Sequence, residues 1–171
     1  MRHIISILLQ NEAGALARVS GMFASRGYNI ESLSVAPTTD AVVSRVTLAA
    51  AGSAAVMDQL VKQLGKMVDV VQVVDYAGRE HIECELVMAK VHVEGESARD
   101  VVECVRRHRG QVLDEADHLR TVQLTGTSAE VDAFLDELGQ AGTLAEVVRT
   151  GGVALERGAA VLKVPPRVLS P

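Results

Sequence analysis

Residues Leu9 to Ile30 constrain this chain more than any other stretch. An apolar run, Ile4-Ile5-Ser6-Ile7-Leu8-Leu9, halts at Gln10-Asn11-Glu12-Ala13, four residues suited to a turn, and Gly14 follows. Leu16, Val19, Met22 and Phe23 then recur at spacings of three and four, the apolar stripe of a helix. Arg26-Gly27 closes that helix with a basic residue and a glycine able to take positive φ. Tyr28-Asn29-Ile30 starts a second strand at once. The order is strand, glycine-bearing turn, helix, strand. Asn11 lies where the chain leaves the sheet, and Asn29 where it returns.

The Asn11 to Leu16 corner has a definite chemistry. The first N–H groups of a helix lack intrahelical partners, and the helix dipole adds partial positive charge there. A small anion is therefore welcome, and Gly14, without a Cβ, lets it approach the backbone. The chain has no GxxxxGK[ST] and no GxGxxG after a strand, so a carboxylate suits the corner better than a nucleotide. By itself the turn fits either a plain strand-to-helix connection or such a site.

The pattern continues. Ile30, Leu33, Val35 and Ala36 extend the second strand to a turn at Pro37-Thr38-Thr39-Asp40. Ala41 to Ala49 is a β-branched strand, with Arg45 expected to point to solvent. Gly52-Ser53 opens a helix carrying Val56, Met57, Leu60, Val61 and Leu64, and Val68 to Tyr76 is a valine-rich strand. The second half repeats the order. A strand from Cys84 to Val93 precedes a helix opened by Ser97-Ala98-Arg99-Asp100, which has the form of a capping box, with Val101, Val102, Cys104 and Val105 inward and Gly110 at its end. Strands at 112–113 and 121–124, a helix opened by Thr127-Ser128-Ala129-Glu130, and a final strand at 144–148 complete it. The expected fold is α+β: two tandem ferredoxin-like βαββαβ units, each an antiparallel sheet with helices on one face. The expected divisions are 1–76, a linker at 77–82, a second unit at 83–158 and a mobile tail at 159–171.

Composition excludes several classes. A formal charge of −5 and only 2% aromatic residues argue against a nucleic-acid binder, and Arg106-Arg107-His108-Arg109 reads as a helix C-terminus offsetting its dipole. No stretch reaches the ~18 apolar residues of a membrane span, and Met1-Arg2-His3 enters a strand without a signal peptide. Cys84 and Cys104 form no CxxC, and the five histidines show no metal spacing, so a cytoplasmic protein without a metal of its own is expected. Neither a Ser–His–Asp order nor paired carboxylates nor a cofactor loop suggests an enzyme.

LLQNEAGALARVSGMFASRGYNIESLSVAPT resembles the opening of the small, regulatory subunit of acetohydroxyacid synthase (acetolactate synthase), whose first unit is an ACT domain, an amino-acid-sensing module. SRVTL, KQLGKMVDVVQV, RGQVLD, TVQLTGT and EVVRTGGVALERG resemble the same family, so the likeness spans nearly the whole chain. It implies a non-catalytic homodimer that raises the activity of a separate large subunit carrying thiamine diphosphate, FAD and Mg²⁺. It also implies feedback inhibition by a branched-chain amino acid, usually valine. That effector would sit between two ACT units, with Asn11 and the backbone of Gly14, Ala15 and Leu16 from one chain and Asn29 and Ile30 from the other. Leu9, Leu16 or Ile30 would meet its isopropyl group. The alternative is a stand-alone ACT-type sensor controlling another enzyme or a repressor.

Overall fold

The structure, a computed structural model, describes residues 1–164. In the first unit β1 (Arg2–Gln10) leads into α1 (Ala15–Ala24), β2 (Ile30–Pro37), β3 (Val43–Ala51), α2 (Ala54–Leu64) and β4 (Val70–Asp75). The strands lie in the order β2-β3-β1-β4, every pair antiparallel, as a split βαβ requires. Ile5, Ile7 and Leu9 alternate onto the face that receives Val19 and Phe23 of α1 and Met57, Leu60 and Leu64 of α2, and together they form the first core. Leu16 and Met22 are only partly buried at its margin. Gly27 ends α1 with φ 71, as its position suggested.

The second unit repeats the topology with β5 (His81–His92), α3 (Ser97–Arg107), β6 (Gln111–Ala116), β7 (Leu119–Gly126), α4 (Ser128–Ala141) and β8 (Thr143–Arg149), its strands ordered β6-β7-β5-β8. Its core joins Val87, Ala89 and Val91 to Val101, Cys104, Phe134 and Leu138. Thr127 caps α4 with a complete capping box: its hydroxyl accepts from the Glu130 N–H, and the Glu130 carboxylate accepts from the Thr127 N–H. The α+β reading of two such units holds.

Several expectations are corrected. The Ser97 box does not form: the N-cap is Glu96 in helical conformation, and the Ser97 hydroxyl accepts instead from the Glu94 N–H. Val102 is 42% exposed because it falls on the outer side of α3. Gly110 does not turn the chain; Arg109 takes the positive φ of 60. Gly110 is small for another reason, since a Cβ there would lie 2.7 Å from Gln123 O. Strands β2 and β4 begin two residues later than the apolar pattern suggests, and β5 begins three residues earlier, inside the expected linker.

The largest correction is at the end of the second unit. The chain does not finish its sheets at β8. A further strand, β9 (Val153–Glu156), follows, and compactness assigns residues 1–82 together with the segment from Val153 to the first unit, and 83–152 to the second. The first sheet has an outer face to cover, and Ala154 does so by packing with Ile4 and Tyr76. Arg157 donates its N–H to Glu80 O (2.9 Å). Of the proposed tail, residues 165–171 lie outside the described residues.

Candidate functional site

The β1-to-α1 corner is pinned from three sides. Gln10 donates its N–H to Asp69 O (2.8 Å), Asn11 donates its N–H to Val42 O (2.8 Å), and Asn11 Nδ2 donates to Ala41 O (3.2 Å). Gly14 is the N-cap of α1 at φ 83, ψ −10, a conformation costly to a residue with a Cβ. No side chain caps this helix and no acidic residue occupies its first turn, although Glu12 just ahead of it acts on Arg18. Asn11 and Gly14 are exposed, Leu16 is half-buried, and Ala15 is buried with its N–H donated to Glu12 O (3.2 Å).

A functional group that the sequence pattern did not single out stands beside them. Arg18, one helical turn beyond Gly14, donates from Nε to Asp69 Oδ2 (2.6 Å) and from Nη2 to Asp69 Oδ1 (2.7 Å). Asp69 is buried, and hydrogen bonding to Arg18 holds its carboxyl below the ordinary aspartate range. The same bonds raise the Arg18 pKa. A Cβ on Gly14 would lie 3.0 Å from Arg18 Nη1, the donor left over from the pair. The corner therefore adds a fixed guanidinium N–H to the helix tip. The spacing i, i+4 from Gly14 was the available signal, but an arginine on a helix reads as a solvated side chain until Asp69 is placed. Leu9 is corrected in the other direction: at 2% exposure it lies under α1 and offers no surface.

Asn29 and Ile30 are at the far end of the same sheet. Ile30 and His3 both pair with Ala50, whereas Pro37 and Leu9 both pair with Ser44. From His3 to Gln10 is seven residues, about 23 Å at the ~3.3 Å rise of a strand. Within one chain Asn29 and Asn11 do not meet. Asn29 is exposed, and Ile30 is half-buried against the first core.

Known proteins share this layout. The family described as the AHAS small subunit-like ACT domain matches residues 5–72, and the family described as the small subunit of acetolactate synthase matches residues 84–158. The chain belongs to the acetolactate synthase small-subunit family. The acetolactate synthase small subunit of Haemophilus influenzae is 48% identical over 92% of this chain and 97% of its own. The isozyme 3 small subunit of Escherichia coli K12 is 44% identical over 95% of this chain and 100% of its own. The crystal structure of the acetolactate synthase small subunit from Thermotoga maritima superposes with a TM-score of 0.83 at 30% identity, covering 94% of this chain and 99% of that one.

The second ACT-like unit of this small-subunit chain echoes the corner but reverses its charge. Gly95 takes φ 56 ahead of α3, as Gly14 does ahead of α1. Glu94, Glu96 and Asp100 surround it, and that field disfavours an anion. Elsewhere in this unit the fold gathers groups the sequence held apart. Cys104, His108 and Glu137 offer ligand atoms within 4.8 Å of one another, contrary to the spacing-based view of the histidines. These groups are already engaged: His108 Nε2 pairs with Glu137 Oε2 (2.7 Å), Arg107 pairs with the other oxygen, and burial pushes the Cys104 thiol up to about 11, far from the thiolate a metal needs. Arg149 bridges Glu85, at 2.7 and 3.0 Å, and Asp132, at 2.6 Å, fastening β8 to β5 and α4. Among the described residues no helix is long and apolar enough to cross a membrane.

Proposed function

We propose that this chain is the regulatory subunit of an acetolactate synthase. It activates a separate large subunit, which supplies the thiamine diphosphate, FAD and Mg²⁺ chemistry. It confers feedback inhibition by valine or another branched-chain amino acid. The effector binds between the ACT units of a homodimer. Its carboxylate meets the α1 tip at Gly14, Ala15 and Leu16, with Arg18 Nη1 alongside. Asn11, and from the second chain Asn29, receive the ammonium through their side-chain oxygens. Leu16 and Ile30 receive the apolar branch.

The observation that carries this reading is the register of the first sheet. β2 is an edge strand whose Leu33 and Val35 stay 39% and 44% exposed, the condition that invites edge pairing. A two-fold axis across two antiparallel β2 strands sets the Ile30 end of one chain against the Pro37 end of its partner, which is the end level with Asn11. The single chain keeps the two halves of the site about 23 Å apart by strand rise, and the symmetric pair closes that gap.

The energetics are modest. A dissociation constant of roughly 0.1–1 mM, about −4 to −5.5 kcal/mol, suits an effector that must release as its concentration falls. A coupling of about 1–3 kcal/mol gives a five- to hundredfold change, and unless the effect is purely on turnover, reciprocity makes valine alter the affinity between the subunits by the same factor. The test is acetolactate formation by the large subunit with and without this chain, titrated with valine, leucine and isoleucine in turn. Activation together with inhibition by at least one of them is the expected result. Activation with no response to any of the three refutes the sensing role, and no activation refutes the subunit role.

A further inference from the structure

Arg45 does not point to open solvent as its strand pattern suggested. It stands on the face of the first sheet opposite α1 and α2, because Val46, Leu48 and Ala50 take the helix side. β9 lies over this second face. Arg45 Nη2 donates to Ala154 O (2.8 Å), Tyr76 Oη (2.9 Å) and Ser6 Oγ (3.2 Å), three neutral acceptors. Among the described residues no carboxylate pairs with Arg45, and its Nε and Nη1 make no hydrogen bond.

The guanidinium lines a cavity of about 400 Å³ built within the first unit. The other cation there, Arg79, is matched by Glu156 at 3.4 Å. One positive charge is thus left unbalanced in a half-buried site, where charges are ordinarily paired. The remaining lining includes Gln72 and the apolar residues Val74, Leu155 and Leu162. Such a volume lies within the ~300–1,000 Å³ of small-ligand sites, and a few polar groups on an apolar wall are their usual composition.

We infer that this cavity binds a small organic carboxylate with a short apolar chain. The carboxylate meets Nε and Nη1 of Arg45, whose planar fork suits two oxygens, and the chain lies along Val74, Leu155 and Leu162. This site is separate from the α1 corner, which is on the other side of the sheet, and it stands whether or not that corner takes an amino acid. Because Ala154 and Tyr76 share the Nη2 donor, an occupant also tightens the hold of β9 on the sheet.

Isothermal titration calorimetry with isovalerate tests the inference, using the full chain and its Gly14→Asp variant so that the helix corner contributes nothing in the second case. Saturable binding is expected in both, so that it persists in the Gly14→Asp chain. Inorganic phosphate and isoamyl alcohol, which lack the apolar chain and the charge respectively, should each bind about tenfold more weakly or worse. Arg45→Met should weaken isovalerate binding by about tenfold or more, with Arg45→Lys intermediate. Val161→Trp, which places a bulky ring at the cavity and leaves residue 45 an arginine, should weaken binding too and decides the matter if Arg45→Met does not fold. Absence of saturable isovalerate binding, or binding unchanged in folded Arg45→Met or Val161→Trp, overturns the inference.

Discussion

Replacing Gly14 by aspartate should strongly weaken inhibition by the amino acid while leaving activation of the large subunit intact. Gly14 holds φ 83, where a residue with a Cβ is disfavoured by about 1–2 kcal/mol. That is a fraction of the roughly 5–15 kcal/mol by which domains are stable, so the variant folds. The new Cβ lies 3.0 Å from Arg18 Nη1, and its carboxylate can reach that donor at the positive end of α1. It therefore takes the place proposed for the effector's acid group. Loss of one charge-assisted set of contacts, about 1.5–3 kcal/mol, raises the valine needed for half-inhibition by roughly 10- to 150-fold. Gly14→Ala carries the same backbone penalty without the charge and should retain a weakened response. The assay is acetolactate formation by the reconstituted synthase over a valine titration, with circular dichroism confirming the fold. A folded Gly14→Asp protein whose inhibition curve matches the wild type within about twofold would falsify the assignment of the helix tip.

Three further outcomes follow from other parts of the chain. The Asp69 carboxyl is held below its ordinary value of about 3.9, so the stability it contributes is present above that pH and is lost as pH falls through the depressed value. The melting temperature of Asp69→Asn should trail the wild type at pH 7 and converge with it in strong acid, and a gap that does not narrow as the pH falls contradicts the linkage. Thr127→Ala removes a complete capping box and should destabilise the second unit by about 1 kcal/mol in urea denaturation, whereas Ser97→Ala, whose hydroxyl caps nothing on α3, should cost visibly less. Ending the chain at Gly152 removes Ala154 from its packing with Ile4 and Tyr76 and should raise binding of a hydrophobic dye, and unchanged dye binding would place the cover of that face elsewhere.

The β-α-β-β-α-β order was legible because it is written locally. Apolar spacing separates strand from helix, and Gly27 and Thr127-Glu130 mark helix ends through the chemistry of their own few residues. What the sequence hid depends on distant partners. β9 is four residues long and gains its place from Ile4 and Tyr76, neighbours about 150 and 78 positions away. Gly110 is small because of Gln123 O across β7, not because of any turn of its own. In the candidate site Gly14 could be found from its place between strand and helix, and Asn11 and Asn29 from the family likeness. Arg18 became visible only with Asp69 beside it, and Arg45 only with β9 above it.

The central claim is that each effector site draws Asn11 and the Gly14 corner from one chain and Asn29 from the other, and mixing two defective chains tests it most directly. Gly14→Asp and Asn29→His homodimers should each bind valine poorly by calorimetry. After the two are denatured together and refolded, about half of the dimers combine one chain of each kind, and each of these holds one intact site and one doubly damaged site. The mixture should therefore regain about a quarter of the wild-type capacity at wild-type affinity. Mixed dimers that form and regain no valine binding would contradict a site shared between the two chains.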